Sequence, residues 1–305
     1  IAAAESSVAS LFLRALDRQL ALDTVRAYMR AIRARDVVRT LLAQRDGVDT
    51  LVQTMRRRVE EGFSPEADLL RFEAEAGRMA VEVSRNQIEL SRALFELSAL
   101  LGAQTPIEEA QLISPAPLSP PAMSDGDVAG AIGQRPDVRL AAARVEQARH
   151  VADFERLRRI PDPILNAGYK RTMGVDTGVA GVTLSIPVFD QNAQARARAD
   201  AVVRAATLDE TMARVRATAE ARAAMTAAAT LAANASRVQD QLLRPAEAVR
   251  NAARATFREG AADVLKLVDA ERIYMDVQRE ALSVGVDAFV AAIEARFAVA
   301  QEEIP

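Results

Sequence analysis

The stretch that decides the fold is PILNAGYKRTMGVDTGVAGVTLSIPV, residues 163–188. Apolar residues alternate along it with small or polar ones, which is the period of β-strands. We predict two strands of about ten residues each, joined by a turn at 173–178. One predicted face carries Leu165, Ala167, Tyr169, Ala180, Val182, Leu184, Ile186 and Val188, and the other carries Asn166, Gly168, Lys170, Gly181, Thr183 and Ser185.

Such a hairpin needs a partner, because an isolated pair of strands is marginally stable in water. Alternating strands of this length are typical of outer-membrane β-barrels, in which the apolar face contacts lipid. The other interpretation is a hairpin packed on a helix of a soluble α+β domain. Tyr169 accordingly belongs either to an aromatic belt at the membrane interface or to packing within the hairpin. The predicted membrane strand residues are Leu165, Tyr169, Val182, Leu184 and Ile186.

Helical periodicity dominates the sequence before the hairpin. We predict a helix over residues 1–61 and a second over 65–101, with apolar residues at steps of three and four. The segment Gly62-Phe63-Ser64-Pro65 separates them, since glycine suits a helix end and proline suits the first position of a helix. A connection this short makes the two helices an antiparallel hairpin.

Further segments flank the β-hairpin. Five prolines over residues 103–126 predict an extended connection, and helix is expected from 127 to 159 with an interruption at 135–137. After the hairpin we predict a helix over 192–258 with a kink at Pro245, then a last helix that ends near 301. The last helix has a seam of small residues, namely Ala281, Gly285, Ala288, Ala292 and Ala295.

Composition excludes several classes of function. The chain has 305 residues, no Cys, a single His and a net charge of −3. These counts exclude cysteine-based metal sites and thiol catalysis, and they give no general attraction to nucleic acid. No acid–base constellation, nucleophile motif or Walker-type phosphate loop occurs. We therefore predict no enzyme activity, no cofactor and no bound metal, and we find no apolar run long enough for a transmembrane helix.

An internal repeat organises the chain. Residues 59–62 match 257–260, and residues 68–71 match 263–266, at offsets of 198 and 195 residues. The domains expected from this repeat are a first helical hairpin (1–102), a proline-rich linker (103–135) and a second repeat (136–305). The second repeat holds the β-hairpin (163–189) and a long helical hairpin (190–303). The first copy lacks a β-hairpin, so we expect that an N-terminal hairpin and a signal peptide precede Ile1.

Three motifs, in their order and spacing, resemble the TolC-like outer membrane efflux family. They are Gln134-Arg-Pro-Asp137, Pro163-Ile-Leu-Asn-Ala-Gly-Tyr169 and Gly181-Val-Thr-Leu-Ser-Ile-Pro-Val-Phe-Asp-Gln-Asn192. The junction at 189–192 resembles the heavy-metal (CzcC-like) branch. The resemblance implies a mainly helical protein with a β-hairpin, in which long antiparallel helical hairpins form a periplasmic tunnel. It also implies a homotrimer in which each protomer supplies four strands to a twelve-stranded barrel in outer membrane lipid.

The function implied by the resemblance is passive export across the outer membrane of a Gram-negative bacterium. The implied partners are a periplasmic adaptor and an inner-membrane RND pump, and the implied cargo is metal ions or small toxic compounds. The alternative function is a soluble coiled-coil scaffold with no transport role.

The resemblance also assigns candidate site residues. The tips of the helical hairpins, which are expected to dock the adaptor, contain Gly62, Phe63, Ser64, Gly260, Ala261 and Asp263. Lys266 and Asp269 are expected at the entrance gate, where three copies of Asp269 would form a negative ring. The alternative for Lys266 and Asp269 is an ordinary pair of solvated charges three residues apart.

Two other groups of residues are open to more than one interpretation. His150 is interpreted as a surface histidine rather than a metal ligand or base, because no other histidine accompanies it. The run Arg56-Arg57-Arg58 is either a solvated helix face or a surface that attracts an acidic partner.

Overall fold

The fold is mainly helical with one β-hairpin, as predicted. The computed structural model describes residues 1–158, 162–184, 192–259 and 264–301, except the side chains of Asp125 and Val264. The elements in chain order are α1 (Ala2–Glu60), α2 (Glu66–Leu100), a 3-10 helix (Glu109–Gln111), α3 (Asp125–Ile132), α4 (Pro136–Leu157), β1 (Pro163–Thr172), β2 (Val175–Leu184), α5 (Ala193–Arg237), a π-helical segment (Val238–Leu243), α6 (Arg244–Arg258) and α7 (Val264–Ala298).

The chain forms two compact units. We call residues 1–16 with 129–218 the hairpin unit, and residues 17–128 with 219–305 the tip unit. The hairpin unit contains α4, β1, β2 and the first part of α5. The tip unit contains most of α1, together with α2, α6 and α7.

The β-hairpin turns more tightly than the predicted segment 173–178. Thr172 pairs directly with Val175, so only Met173 and Gly174 form the turn. Both have positive φ, 52° and 85° respectively. That combination defines a type I′ turn, whose twist matches the twist of the flanking strands. The prediction that 175–178 belong to the turn is therefore wrong, because all four residues pair with β1, from Val175 opposite Thr172 to Gly178 opposite Tyr169.

The register of the hairpin places the predicted apolar residues on one face. Leu165 lies opposite Val182, Ala167 opposite Ala180, and Tyr169 opposite Gly178. On the other face the Asn166 amide donates to Thr183 Oγ1 at 3.2 Å. Every residue of both strands is exposed. Ile186 lies outside the described residues.

In the hairpin unit, α4 and α5 run antiparallel. Arg156 Nη2 is 2.8 Å from a carboxylate oxygen of Asp200, and Asn192 Nδ2 donates to Glu155 Oε2 at 2.6 Å. The predicted interruption at 135–137 is confirmed, since α3 ends at Ile132 and α4 begins at Pro136. Proline is well suited to this first helical position, because its missing N–H would have no partner there.

In the tip unit, glycines end the first two helices as predicted. Gly62 has φ +77°, the Phe63 N–H donates to the Arg58 carbonyl at 2.8 Å, and the Gly62 N–H donates to the Val59 carbonyl at 3.0 Å. These two bonds form a Schellman motif, which satisfies carbonyls that the helix end would leave unpaired. Pro65 lies one residue before α2 rather than at its first position, and its ψ of 146° is extended.

The proline-rich connection is mostly extended, and it packs on α1. Leu112 is buried against Ala27, Ala31 and Ile32. Tyr28 Oη donates to the Ile113 carbonyl at 2.7 Å and accepts from the Ile113 N–H at 2.9 Å. The connection therefore belongs to the core of the tip unit.

The predicted kink at Pro245 takes the form of the π-helical segment Val238–Leu243, which ends two residues before the proline. Proline cannot donate a backbone hydrogen bond, and a π-segment accommodates the break without ending the helix. The predicted seam of α7 packs at its C-terminal end, where Ala295 is completely buried against Ala228. Gly285, in the same seam, is exposed.

Candidate functional site

Four helices meet near the turn at Gly62. Their contact is a buried cluster of Met55 from α1, Phe72 from α2, Phe257 from α6 and Leu267 from α7, none more than 3% exposed. The rings of Phe72 and Phe257 lie 6.3 Å apart at an interplanar angle of 62°, an edge-to-face contact. Aromatic pairs favour this geometry because a positive ring edge meets a negative ring face. The cluster therefore joins the first helical hairpin to the second at their tips.

Ion pairs continue this contact along α2 and α7. Glu75 is 8% exposed, and it accepts from Arg78 Nε at 3.1 Å and from Arg272 Nη2 at 3.1 Å. Burial pushes the pKa of Glu75 upward, but the hydrogen bonds from Arg78 and Arg272 outweigh burial, so its pKa lies below the usual 4.5. Seven residues further along each helix, Glu82 pairs with Arg279. α2 and α7 are therefore parallel and in fixed register.

The first predicted tip is an exposed turn. The Phe63 side chain is 78% exposed, and Leu70 at the start of α2 is 56% exposed. A Cβ at Gly62 would meet no atom within 4 Å, so its positive φ, rather than lack of space, favours glycine there. Ser64 is half-buried. The other predicted tip residues, Gly260, Ala261 and Asp263, lie outside the described residues.

Both predicted gate residues lie exposed near the start of α7. Lys266 and Asp269 flank Leu267, which is completely buried in the tip cluster. In the part of α7 that the structure describes, no ion pair joins Lys266 to Asp269. Both charges are therefore held at the surface by the anchoring of Leu267, and both are available to solvent or to another molecule.

The run Arg56-Arg57-Arg58 is divided among three environments. Arg56 pairs with Glu73 of α2 at 2.8 Å, and the Arg58 guanidinium lies 5.0 Å from the centre of the Phe257 ring. Arg57 is exposed. The packing of Arg58 on Phe257 was not expected from the sequence.

The hairpin presents its predicted residues at the surface. Leu165 is 79% exposed, Val182 67% and Leu184 52%. Tyr169 Oη donates to the Asp176 carboxylate within the hairpin, while its ring stays 70% exposed. The Tyr169 hydroxyl thus has a hydrogen-bond partner within the hairpin, and its ring remains free to contact lipid or another molecule.

His150 is exposed on α4, next to the ion pair of Arg149 and Glu146. Within the described ranges, no three His, Cys, Asp or Glu side chains converge as a metal site would require. None of the described helices contains a stretch both long and apolar enough to cross a membrane.

Comparison with known proteins supplies the family. The sequence pattern of the family described as "Outer membrane efflux protein" matches residues 129–299. No curated protein sequence matches the chain.

Solved structures share the fold. A membrane protein from Pseudomonas aeruginosa superposes with a TM-score of 0.82 at 19% identity, over 98% of this chain and 72% of that one. The outer membrane protein VceC from Vibrio cholerae gives 0.82 at 21% identity, over 98% and 74% of the two chains. CusC, whose structures concern folding and transmembrane channel formation, gives 0.83 at 18% identity, over 96% and 70%.

Proposed function

The chain belongs to the outer membrane efflux protein family, and from this premise we propose that it is the outer membrane duct of a tripartite, RND-type efflux system. In this proposal three copies assemble, β1 and β2 contribute to a shared barrel in outer membrane lipid, and the long helices form the periplasmic tunnel. Conduction is passive, and a periplasmic adaptor and an inner-membrane pump deliver the cargo.

The β-hairpin is the observation that carries the proposal. Both of its outer edges carry backbone N–H and C=O groups without a strand partner in the described chain, and long exposed edges of this kind favour pairing with further strands. Each strand has 10 residues. At a tilt near 45°, strands of 9–11 residues cross a membrane. The apolar face of Leu165, Ala180 and Val182 suits lipid, and the Asn166–Thr183 face suits a water-filled lumen.

The tips support the assignment of docking and gating. Phe63 and Leu70 are exposed apolar side chains near this tip, and covering such side chains with another protein is favourable because it removes apolar surface from water. We propose that Phe63, with the turn at Gly62 and Ser64, contacts the adaptor, and that Gly260, Ala261 and Asp263 form the matching tip of the second hairpin. We further propose that Lys266 and Asp269 face the entrance.

In this proposal the properties of the lumen, and not a specific binding pocket, determine which compounds the duct can pass. A duct that excludes substrates only by size and charge is expected to pass metal ions or small toxic compounds according to what the pump delivers. We expect no enzyme activity.

Single-cysteine labelling tests the orientation of the hairpin, since the chain has no native Cys. Val182→Cys and Thr183→Cys are adjacent and lie on opposite faces. In outer membrane fractions, a charged maleimide should label Thr183→Cys much faster than Val182→Cys. After the protein is solubilised and unfolded, the two cysteines should be labelled at the same rate. Equal labelling in membranes, or recovery of the protein in the soluble fraction, would contradict the proposal and favour the scaffold alternative.

A further inference from the structure

A groove of about 350 Å³ lies between α1 and α6, within the tip unit. Gly47, Thr50 and Thr54 line its α1 side, each about one helical turn from the next. Gly47 faces α6 across the groove, because a Cβ built there would be in ordinary van der Waals contact with Nη2 of Arg254, at 3.6 Å. Gly47 is also the single glycine within α1. The groove is therefore built by the spacing of the two helices and is distinct from the exposed turn at Gly62.

Three arginines line the groove, and none of the described residues that line it is acidic. They are Arg58 from α1 and Arg254 and Arg258 from α6. Arg254 is neutralised by Glu271, whose Oε2 lies 2.9 Å from its Nη2. Neither Arg58 nor Arg258 makes an ion pair in the described chain. This contrasts with Arg56, Arg78, Arg272 and Arg279 in the same unit, which all pair with carboxylates.

The floor of the groove is apolar. The ring of Phe257 and the side chains of Leu51 and Leu267 line it, and Arg58 lies across the Phe257 ring at 5.0 Å. The two threonine hydroxyls offer no donor to a ligand, since Thr50 and Thr54 both donate to the carbonyl four residues earlier in α1. A bound molecule would thus meet an apolar floor and two guanidinium groups that pair with no carboxylate of the described residues.

We propose that this groove is a binding site for a small organic anion with an apolar body, such as an aromatic carboxylate. The carboxylate accepts hydrogen bonds from the guanidinium groups of Arg58 and Arg258, an interaction strengthened by its opposite charges. The ring of the ligand packs against Leu51 and beside the Phe257 ring, which Arg58 already covers. A ligand held in this way bridges α1 to α6, so its binding stabilises the contact between the two helical hairpins. The site goes beyond the proposed duct function and does not depend on it.

The test uses 4-fluorobenzoate as the probe, followed by fluorine NMR with the purified full protein in detergent. The neutral 4-fluorobenzamide has nearly the same shape, and inorganic phosphate is an anion without an apolar body. The variants are Arg258→Gln and Arg58→Gln. Arg57→Gln is the matched control, because it removes the same charge from an exposed neighbouring position outside the groove.

We expect saturable binding of 4-fluorobenzoate that Arg258→Gln weakens by about tenfold or more, while Arg57→Gln leaves it unchanged. Arg258 is exposed and makes no ion pair with the residues that the structure describes, so its replacement should preserve the fold even if Arg58→Gln disturbs packing on Phe257. Four results would each overturn the proposal: no saturable binding, equal binding of 4-fluorobenzamide, equal weakening by Arg57→Gln, or competition by phosphate as effective as that by benzoate.

Discussion

Arg135 holds Asp137 through two hydrogen bonds, from Nε to Oδ1 at 3.0 Å and from Nη2 to Oδ2 at 2.6 Å. The Arg135 side chain is only 3% exposed, and its Nη1 also donates to the carbonyl of Ala217 on α5 at 3.5 Å. One buried guanidinium therefore fixes the start of α4 and ties it to α5. The Arg-Pro-Asp motif thus has a structural cause in the hairpin unit.

Replacement of Arg135 by Gln should destabilise the protein. The variant loses charge-assisted hydrogen bonds from a buried position, which typically costs about 1.5–3 kcal/mol. Urea unfolding followed by circular dichroism measures the change. Arg139→Gln removes an exposed arginine one turn later on the same helix, and it should change the free energy of unfolding by less than about 0.5 kcal/mol. Similar losses in both variants would contradict the role given to Arg135.

The contact between Phe72 and Phe257 should be measurable by a double-mutant cycle. Each Phe→Ala replacement removes a buried ring, at an expected cost of about 3–5 kcal/mol in unfolding free energy. The two rings should show a coupling of about 0.5–1.5 kcal/mol beyond their separate effects. Phe63→Ala is the control, because that ring is 78% exposed. Strict additivity of the two core replacements would show that the rings do not interact.

Stability should depend on pH through Glu75. Its pKa is lowered in the folded protein, so its contribution is complete above the unfolded pKa near 4.5 and is lost as the pH falls through the lower folded value. Glu75→Gln should therefore be less stable than the wild type at pH 7 by about 1–3 kcal/mol, and the difference should shrink below about pH 4.5.

Unfolding at pH 7 and at pH 3 to 4 tests this expectation, with Glu89→Gln as the control on the same helix. Glu89 forms an exposed pair with Arg92 at 2.7 Å, and such pairs contribute about 0–1 kcal/mol. A stability difference for Glu75→Gln that stays constant down to pH 3 would argue against the lowered pKa.

Phe63 is predicted to contribute to adaptor docking. Phe63→Asp places a charge on a side chain that is exposed in the isolated chain, so the folded protein should be unaffected. We expect crosslinking to the adaptor in cells, and resistance to the exported compounds, to fall together. Glu66→Lys, a charge change at the exposed start of α2, is a comparison for general electrostatic effects. Normal crosslinking and resistance in Phe63→Asp would remove Phe63 from the docking surface.

Asp269 is predicted to line the entrance. Asp269→Asn should change single-channel conductance or block by divalent cations in planar bilayers, since a ring of carboxylates attracts cations to a pore. Asp287→Asn removes the same charge from an exposed position further along α7, and it should leave both quantities unchanged. Equal conductance and block in the wild type and Asp269→Asn would exclude Asp269 from the gate.

Periodicity in the sequence predicted the elements well because each depends on local chemistry. The alternation at 163–184 determined the strand faces, and Gly62 and Gly102 marked helix ends that need a positive φ. The length of the β-turn was the exception. Met173 adopts a φ of 52°, which no local rule favours for methionine, and strand pairing stabilises it there.

The sequence did not predict which side chains contact each other between elements. The packing of Arg58 on Phe257 and the pairing of Glu75 with Arg272 join residues about two hundred positions apart. Neither contact leaves a trace in local spacing, because each requires the two helical hairpins to be side by side. The repeat located the equivalent turns, but it did not specify which side chains meet between them.

The paired carboxylates of α2 and guanidinium groups of α7 have a mechanical consequence. A slide of α7 along α2 by a single turn would separate Glu75 from Arg272 and Glu82 from Arg279 at once. A slide by seven residues would restore only one of the two pairs. Sliding α7 along α2 therefore requires both ion pairs to break together. A rotation of the two helices about the buried tip cluster would instead break the pairs one after the other. Any movement of the tip should thus begin as a rotation.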